Sequence, residues 1–516
     1  MKKSYYYIIL ICITAAGAVV FWFALNRGTV SLEGCKTVSR MPAIRPDYTG
    51  TVIPPNIAPL NFMVLEQGTG YLVKIHSVSG ESIDVFSRTG KIKIPLKRWR
   101  SLLNTNCGKE LFFDVYVRDK NGLWSRYETI TNTIAKEGID GYLVYRFMKP
   151  IFNWWKDISI YQRNLENYEN KAVLRGKSFG GGCLNCHTFL NNKPEYMTLG
   201  IRTPVYGTST LLVSNGKRIE KIGTRFGYTT WHPSGRLAVY SIIDTYLFFH
   251  NTGAEVRDVV DLDSAICYYV VDSQQVKTAP ALSENNRLET YPTWSPDGRY
   301  LYYCSAPILW ANRHKVPPEH YDEVKYDLMR ISYDVETDKW GQPEPVLSAE
   351  KTGMSILLPR ISPDGRFLVF CMCKYGCFPI YQASSDLYMM DLQTGQYSKL
   401  PINSEYSESW HSFSSNSRWL AFSSKRLDGL FTRTYFSYID KDGKVYKPFI
   451  LPQKDPAYYD SLLQTYSVPE LMTGPVRVSP SALARAVRQS ENIQVKVPLT
   501  GATMKTENSG PWRQEQ

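Results

Sequence analysis

Three copies of one six-residue pattern constrain this chain more than any other feature. Trp231-His232-Pro233-Ser234-Gly235-Arg236, Trp294-Ser295-Pro296-Asp297-Gly298-Arg299 and Ile361-Ser362-Pro363-Asp364-Gly365-Arg366 each lead into an apolar run: Leu237 to Ser241, Tyr300 to Ser305 and Phe367 to Met372. A degenerate fourth copy, Phe413-Ser414-Ser415-Asn416-Ser417-Arg418, precedes Trp419 to Ser423. Each copy reads as a strand, a tight turn and a second strand, with Asp and Gly as turn formers. Successive arginines lie 63, 67 and 52 residues apart, near the roughly 40 to 50 residues of a propeller blade plus insertions. The expected fold class is therefore mainly β, with a β-propeller over residues 200–455. Gly207 to Ile222 supplies another blade part, which predicts five or six blades.

A second motif carries chemistry. Cys183-Leu184-Asn185-Cys186-His187 is a C-x-x-C-H sequence, the attachment signature of a c-type haem. The two thiols at that spacing add to the vinyl groups of one haem, and the adjacent imidazole lies beneath the iron. A zinc site needs a second ligand pair, and the other clustered cysteines, Cys371, Cys373 and Cys377, lie far away in another repeat. A thioredoxin-like disulfide needs a βαβ context, whereas Gly176 and Gly180-Gly181-Gly182 upstream read as a loop. The expected cofactor is one covalent haem c on Cys183, Cys186 and His187. Met197, ten residues after His187 and beyond the turn Asn191-Asn192-Lys193-Pro194, is the expected sixth iron ligand; His232 and His411 are the alternatives.

The N-terminus points to an oxidising exterior. Lys2 and Lys3 precede 21 uncharged, mostly apolar residues, Tyr5 to Leu25. A membrane span needs about 20 such residues, more than a secretory signal core. The lysines hold the terminus in the cytoplasm, so the expected location is a bacterial inner membrane, single-pass, with the bulk of the chain in the periplasm. Lipidation at Cys35 is disfavoured, because that residue sits ten positions beyond the apolar run with Arg27 between. An exterior chain does not meet nucleic acid, so the net charge of +12 implies a basic surface or docking to acidic partners. Of the remaining cysteines, Cys35 with Cys107 and Cys373 with Cys377 are expected bridges. Cys267, Cys304 and Cys371 are expected as buried free thiols.

The organisation expected along the chain is an anchor (1–27), a Pro-rich linker (28–59), a β-sandwich-like domain (60–138), a bridge and haem-binding segment (139–199), the propeller, and a C-terminal extension (456–516). In the sandwich, Ile92, Ile94 and Leu96, then Phe113, Val115 and Val117, alternate with polar neighbours, and Asn121-Gly122 marks a turn. The aromatic stretch 139–172 reads as an irregular or helical bridge beside the haem. In the tail, Ser479-Pro480 caps a short helix, Ala482 to Arg488, and the polar chain beyond Ser490 is expected to be disordered.

The W-S-P-D-G-R units resemble the PD40 repeats of TolB-like propellers over residues 200–455, three of the four copies matching well. Joined to the anchor, the single C-x-x-C-H motif and the stretch Trp419 to Gly443, the chain is similar to the membrane-anchored PD40/TolB-like cytochrome c proteins of Bacteroidetes-type bacteria. The lost Pro-Asp-Gly of the fourth copy and His232 in place of the usual serine are departures. The sequence favours a monohaem electron carrier whose propeller docks a redox partner at the membrane. It has no acid–base constellation and no second cofactor signature. A haem or propeller enzyme, and a structural or sensor protein of an envelope complex, are the alternatives. Lys425, Arg426 and Arg433 are the expected basic contact for an acidic partner.

Overall fold

The computed structural model describes residues 32–149, 158–250, 257–312 and 315–496, without the side chain of Cys186. The apolar run Tyr5 to Leu25 lies outside the described residues, among which no helix is long and apolar enough to cross a membrane.

Six four-stranded antiparallel sheets form a six-bladed β-propeller. From the innermost strand outward, the second blade is Cys183–Leu190, Lys193–Thr203, Gly207–Ser214 and Arg218–Ile222. The third to sixth blades follow in chain order, with innermost strands Gly227–Trp231, Arg287–Trp294, Ser355–Ile361 and Glu408–Phe413. The first blade is composite. Its innermost strand, Thr465–Met472, comes from the far end of the chain and pairs with Tyr142–Met148, outside which lie Ser159–Asn164 and Asn170–Arg175. That pairing closes the ring, and the Tyr145 and Tyr466 rings pack across it, tilted by 35°, with centroids 4.6 Å apart.

The propeller therefore begins at Tyr142 rather than at residue 200. The aromatic stretch expected as a bridge supplies two strands of the first blade, and its residues 150–157 lie outside the described residues. The C-x-x-C-H motif sits on the innermost strand of the second blade, not in a separate haem-binding segment ahead of the propeller.

Side-chain hydrogen bonds explain the repeated turn. Ser295 donates its hydroxyl to Asp297 (2.6 Å) and accepts the Tyr300 N–H (3.0 Å), while Asp297 accepts the Arg299 N–H (3.0 Å). Gly298 takes the left-handed conformation at φ 74°, which a side chain disfavours. The degenerate copy keeps the same geometry: Asn416 replaces the aspartate as acceptor from Ser414 and Arg418, and Ser417 adopts φ 64°.

Ahead of the propeller, a seven-stranded and a three-stranded sheet enclose a core with the helix Leu96–Thr105. Leu111, Phe113, Val115 and Val117 all face inward from Glu110–Arg118, as their alternation predicts. The Pro-rich linker is part of this domain, because Lys36–Thr37, Ile44–Arg45 and Val52–Ile53 pair into its sheets. The expected strand through Leu96 stops at Ile92, and the helix begins at Leu96. Cys35 and Cys107 are free: the first packs beside Leu72, Tyr116 and Trp124, and the second donates to helix carbonyls. Cys373 and Cys377 are likewise free and buried, as are Cys267, Cys304 and Cys371.

The C-terminal helix spans Pro480–Arg488, with Ser479 Oγ accepting the Ala482 N–H at 3.2 Å. Its apolar face, Leu483, Ala486 and Val487, packs on the outer edge of the first two blades. Lys221 Nζ donates to its last carbonyls, Val487 O (2.9 Å) and Gln489 O (2.7 Å), placing a cation where the helix dipole favours one. The chain stays ordered past Ser490, since Ile493 bridges to Ile222; residues 497–516 lie outside the described residues.

Candidate functional site

Every innermost strand carries the same two-residue bulge. The ladder skips between Asn185 and Thr188, Gly227 and Thr230, Thr290 and Thr293, Leu357 and Arg360, and Ser409 and Ser412, and opposite the Val144/Arg146 break on the closing strand. The first bulge residue is left-handed at Tyr228, Tyr291, Leu358, Trp410 and Val468. Three of these meet near the axis: Tyr228 and Tyr291 at 4.2 Å, and Trp410 at 5.9 and 6.1 Å from them. They close one end of the central channel. Cys186 holds the equivalent position in the second blade, and the bulge there breaks the alternation that would send residues 183 and 186 to opposite faces of a regular strand.

Above the bulge, a cavity of about 370 Å³ opens among the strand-to-strand turns. It is lined by the residue after the bulge in every blade: Thr188, Thr230, Thr293, Arg360, Ser412 and Glu470. The segment leading in from the first domain braces its rim, where Asp140 accepts the Ser415 N–H (2.8 Å) and O–H (2.6 Å).

His187 and His411 are the second bulge residues of their blades; both line this cavity and both are 4% exposed. His411 Nε2 lies 2.9 Å from Val369 O, and His187 hydrogen-bonds to the backbone of Val468 and Val144. Each retains one buried ring nitrogen with no protein partner, Nε2 of His187 and Nδ1 of His411. Burial, reinforced by Arg146 beside His187 and Arg360 beside His411, pushes each imidazole down to about 3. Both are neutral at physiological pH. A neutral imidazole held through one nitrogen, with the other bare, is prepared to ligate a metal.

Of the motif's residues, His187 lines the cavity and keeps its Nε2 unclaimed, while Cys183 is a free, half-buried thiol packed against the core between the first and second blades and is not among the lining residues. No group of three or more His, Cys, Asp or Glu among the described residues is arranged to hold a metal ion by itself.

The three expected sixth ligands separate clearly. The chain between His187 and Met197 is a tight hairpin, with Asn191 and Asn192 left-handed at its turn, rather than a loop wrapping a haem edge. Met197 consequently pairs with Phe189 and is fully buried in the layer between the first and second blades, with Leu199 and Val213. It is not brought to the cavity. His232 lies in the third-blade turn, spanning Ser234 Oγ (2.7 Å) and the neighbouring blade's Gly298 O (3.1 Å), which is a structural bridge. Only His411 shares the cavity with His187.

The expected basic contact is not a surface patch. The Arg433 side chain is fully buried and donates to the carbonyls of Leu462 (2.8 Å) and Gln464. Arg426 donates to Ile402 O (2.6 Å) and Glu408 (3.0 Å) and stacks on Tyr435. These arginines hold the sixth blade together.

Arg360 and Glu470 are site residues that the sequence reading missed. A signal exists: in every copy the channel residue lies one position before the aromatic or aliphatic residue that opens the turn, as in Pro292-Thr293-Trp294, Pro359-Arg360-Ile361 and Pro469-Glu470-Leu471. Aligning the repeats two residues further upstream exposes it.

No protein-family model matches the chain, and neither does any curated protein sequence. Among solved structures, TolB from Acinetobacter baumannii is similar at 14% identity, covering 73% of this chain and 85% of that one, with a TM-score of 0.41. A hypothetical selenium-binding protein from Sulfolobus tokodaii gives 10% identity, coverage of 79% and 94%, and a TM-score of 0.40. Kuenenia stuttgartiensis hydrazine synthase gives 10% identity, coverage of 62% and 48%, and a TM-score of 0.38.

Proposed function

We propose that this chain is a membrane-anchored periplasmic monohaem c-type cytochrome that passes single electrons, its haem attached inside the propeller ring. The observation that carries the reading is the bare Nε2 of buried His187, directly after two cysteines at haem-attachment spacing. Cys183 and Cys186 would form the thioether links, His187 would be the proximal ligand, and His411 is the channel-wall candidate for the opposite face. A bound haem supplies reversible one-electron iron chemistry at a potential set by its axial ligands and burial. The chain's own part is to hold the ligating imidazole neutral and fixed through its backbone hydrogen bond, and to shield it from water. The propeller also offers a rigid face for a redox partner at the membrane, reached without the internal Arg426 and Arg433.

Co-expressed with haem-attachment machinery, the full chain should keep haem stain through denaturing electrophoresis, and Cys183→Ala/Cys186→Ala should lose it completely. A wild-type band without stain would refute the reading.

A further inference from the structure

The ring of channel residues breaks its own chemistry at two places. Four of the six equivalent positions carry a small hydroxyl side chain, Thr188, Thr230, Thr293 and Ser412, while the other two carry a cation and a carboxyl, Arg360 and Glu470. Arg360 is not spent on the fold in the way that the buried Arg426 and Arg433 are. Among the described residues the Arg360 guanidinium donates no hydrogen bond and closes no ion pair, although it faces Glu470 closely enough to act on it electrostatically. Glu470 accepts the Thr188 O–H (3.1 Å) and the Phe189 N–H (3.0 Å) through Oε1 alone, which leaves Oε2 without a protein partner. The Arg360 side chain is half-buried and its guanidinium nitrogens stay open to the solvent-filled cavity, free to bind a ligand there.

We propose that the channel cavity binds a small carboxylate that also carries a hydrogen-bond donor, the carboxylate on Arg360 and the hydroxyl or amino group on Glu470. The guanidinium fork matches a planar carboxylate through two parallel N–H bonds. A dianion is disfavoured, because Arg360 is the one Lys or Arg among the lining residues. The cavity, about 370 Å³, lies in the small-ligand range of roughly 300 to 1,000 Å³. Its mouth lies among the turns, so a ligand enters without opening the ring. A haem held between His187 and His411 would occupy this same cavity, so the site belongs to the haem-free chain.

The test is titration of the full-length, haem-free Cys183→Ala/Cys186→Ala chain with L-lactate, glycine, acetate and inorganic phosphate, read by thermal shift and calorimetry. Lactate or glycine should saturate and bind at least fivefold more tightly than acetate, with phosphate weakest. Arg360→Gln should abolish saturation, and Glu470→Gln should reduce the preferred ligand to the acetate level. Should circular dichroism show Arg360→Gln unfolded, Arg360→Lys, which keeps the charge and loses the fork, is read instead and should bind about tenfold more weakly. The inference is overturned by absence of saturation with lactate and glycine, by preference for phosphate, or by affinity unchanged in the folded Arg360 variant. Binding intact in a wild-type chain that takes no haem would separate this site from the cytochrome reading.

Discussion

Asn185-Cys186-His187-Thr188 in the second blade and Ser409-Trp410-His411-Ser412 in the sixth occupy the same four positions of an innermost strand. Both place a histidine second in the bulge, both bury it, and both leave it one unclaimed nitrogen above the same cavity. They differ in the thiols. The sixth blade fills its first bulge position with Trp410, packed against Tyr228 and Tyr291 in the channel plug, whereas the second blade places Cys186 there, three residues after Cys183. The comparison teaches that the backbone alone produces the neutral, half-partnered imidazole; what sets the second blade apart is reactivity next to it.

The sharpest way to break this comparison is to remove each histidine in turn from haem-loaded protein. His187→Ala should leave the haem covalently attached, since both thioethers survive, but should convert its visible spectrum outright by loss of the proximal ligand. His411→Ala should leave attachment and His187 ligation in place and shift the iron from low toward high spin. An unchanged spectrum in His411→Ala would remove that residue from the iron and leave the two blades alike in backbone only.

A second, smaller effect follows from acid. Both imidazoles titrate near 6.5 when unfolded and are pushed down to about 3 by burial in the fold. A depressed folded value means that stability is fully present above pH 6.5 and is lost as pH falls from there toward 3, because the unfolded chain binds the proton first. Each histidine should account for about 2 kcal/mol of lost stability between pH 6.5 and pH 5. In the haem-free Cys183→Ala/Cys186→Ala background, His187→Gln and His411→Gln should each reduce that pH-dependent loss by a similar amount in denaturant titrations. A loss reduced by only one of them would show that the two bulges are not electrostatically equivalent.

The same pair of strands shows what was legible in the sequence. The Pro-x-Gly-Arg turns, with Ser234, Asp297 and Asp364 at x, announce the third, fourth and fifth blades, because the turn chemistry is local: Ser295, Asp297 and Gly298 make it within six residues. The sixth blade was legible in degenerate form, since Asn416 and Ser417 replace the acceptor and the left-handed residue. The second blade turns at Asn191-Asn192 and the first closes through Thr465–Met472, more than three hundred residues from its partner Tyr142–Met148. Neither carries the Pro-Asp-Gly-type turn, so the second blade showed only through Gly207 to Ile222 and the first only through the register of Pro469-Glu470-Leu471. His187 was legible as a ligand from its motif, but its place inside the ring was not, because a bulge is a property of two strands in register. Arg426 and Arg433 misled for the opposite reason: charge is visible in a sequence, and the carbonyls that absorb it are not.

Met197 gives the finest test, because there the two readings of the second blade diverge with the smallest structural change. As an iron ligand, its replacement by leucine removes the thioether and with it a far-red charge-transfer band. As a side chain packed against Phe189, Leu199 and Val213, the same replacement conserves volume and apolarity, and such swaps typically cost less than about 1.5 kcal/mol. The hairpin register decides between them: Met197 lies opposite Phe189 in a fully buried layer outside the channel. Met197→Leu should therefore keep the wild-type spectrum and potential, with a small decrease in melting temperature and no change in haem attachment. Loss of a charge-transfer band in this variant would show that haem attachment pulls the second strand out of its blade, and would set the second blade apart from the sixth in backbone as well as in chemistry.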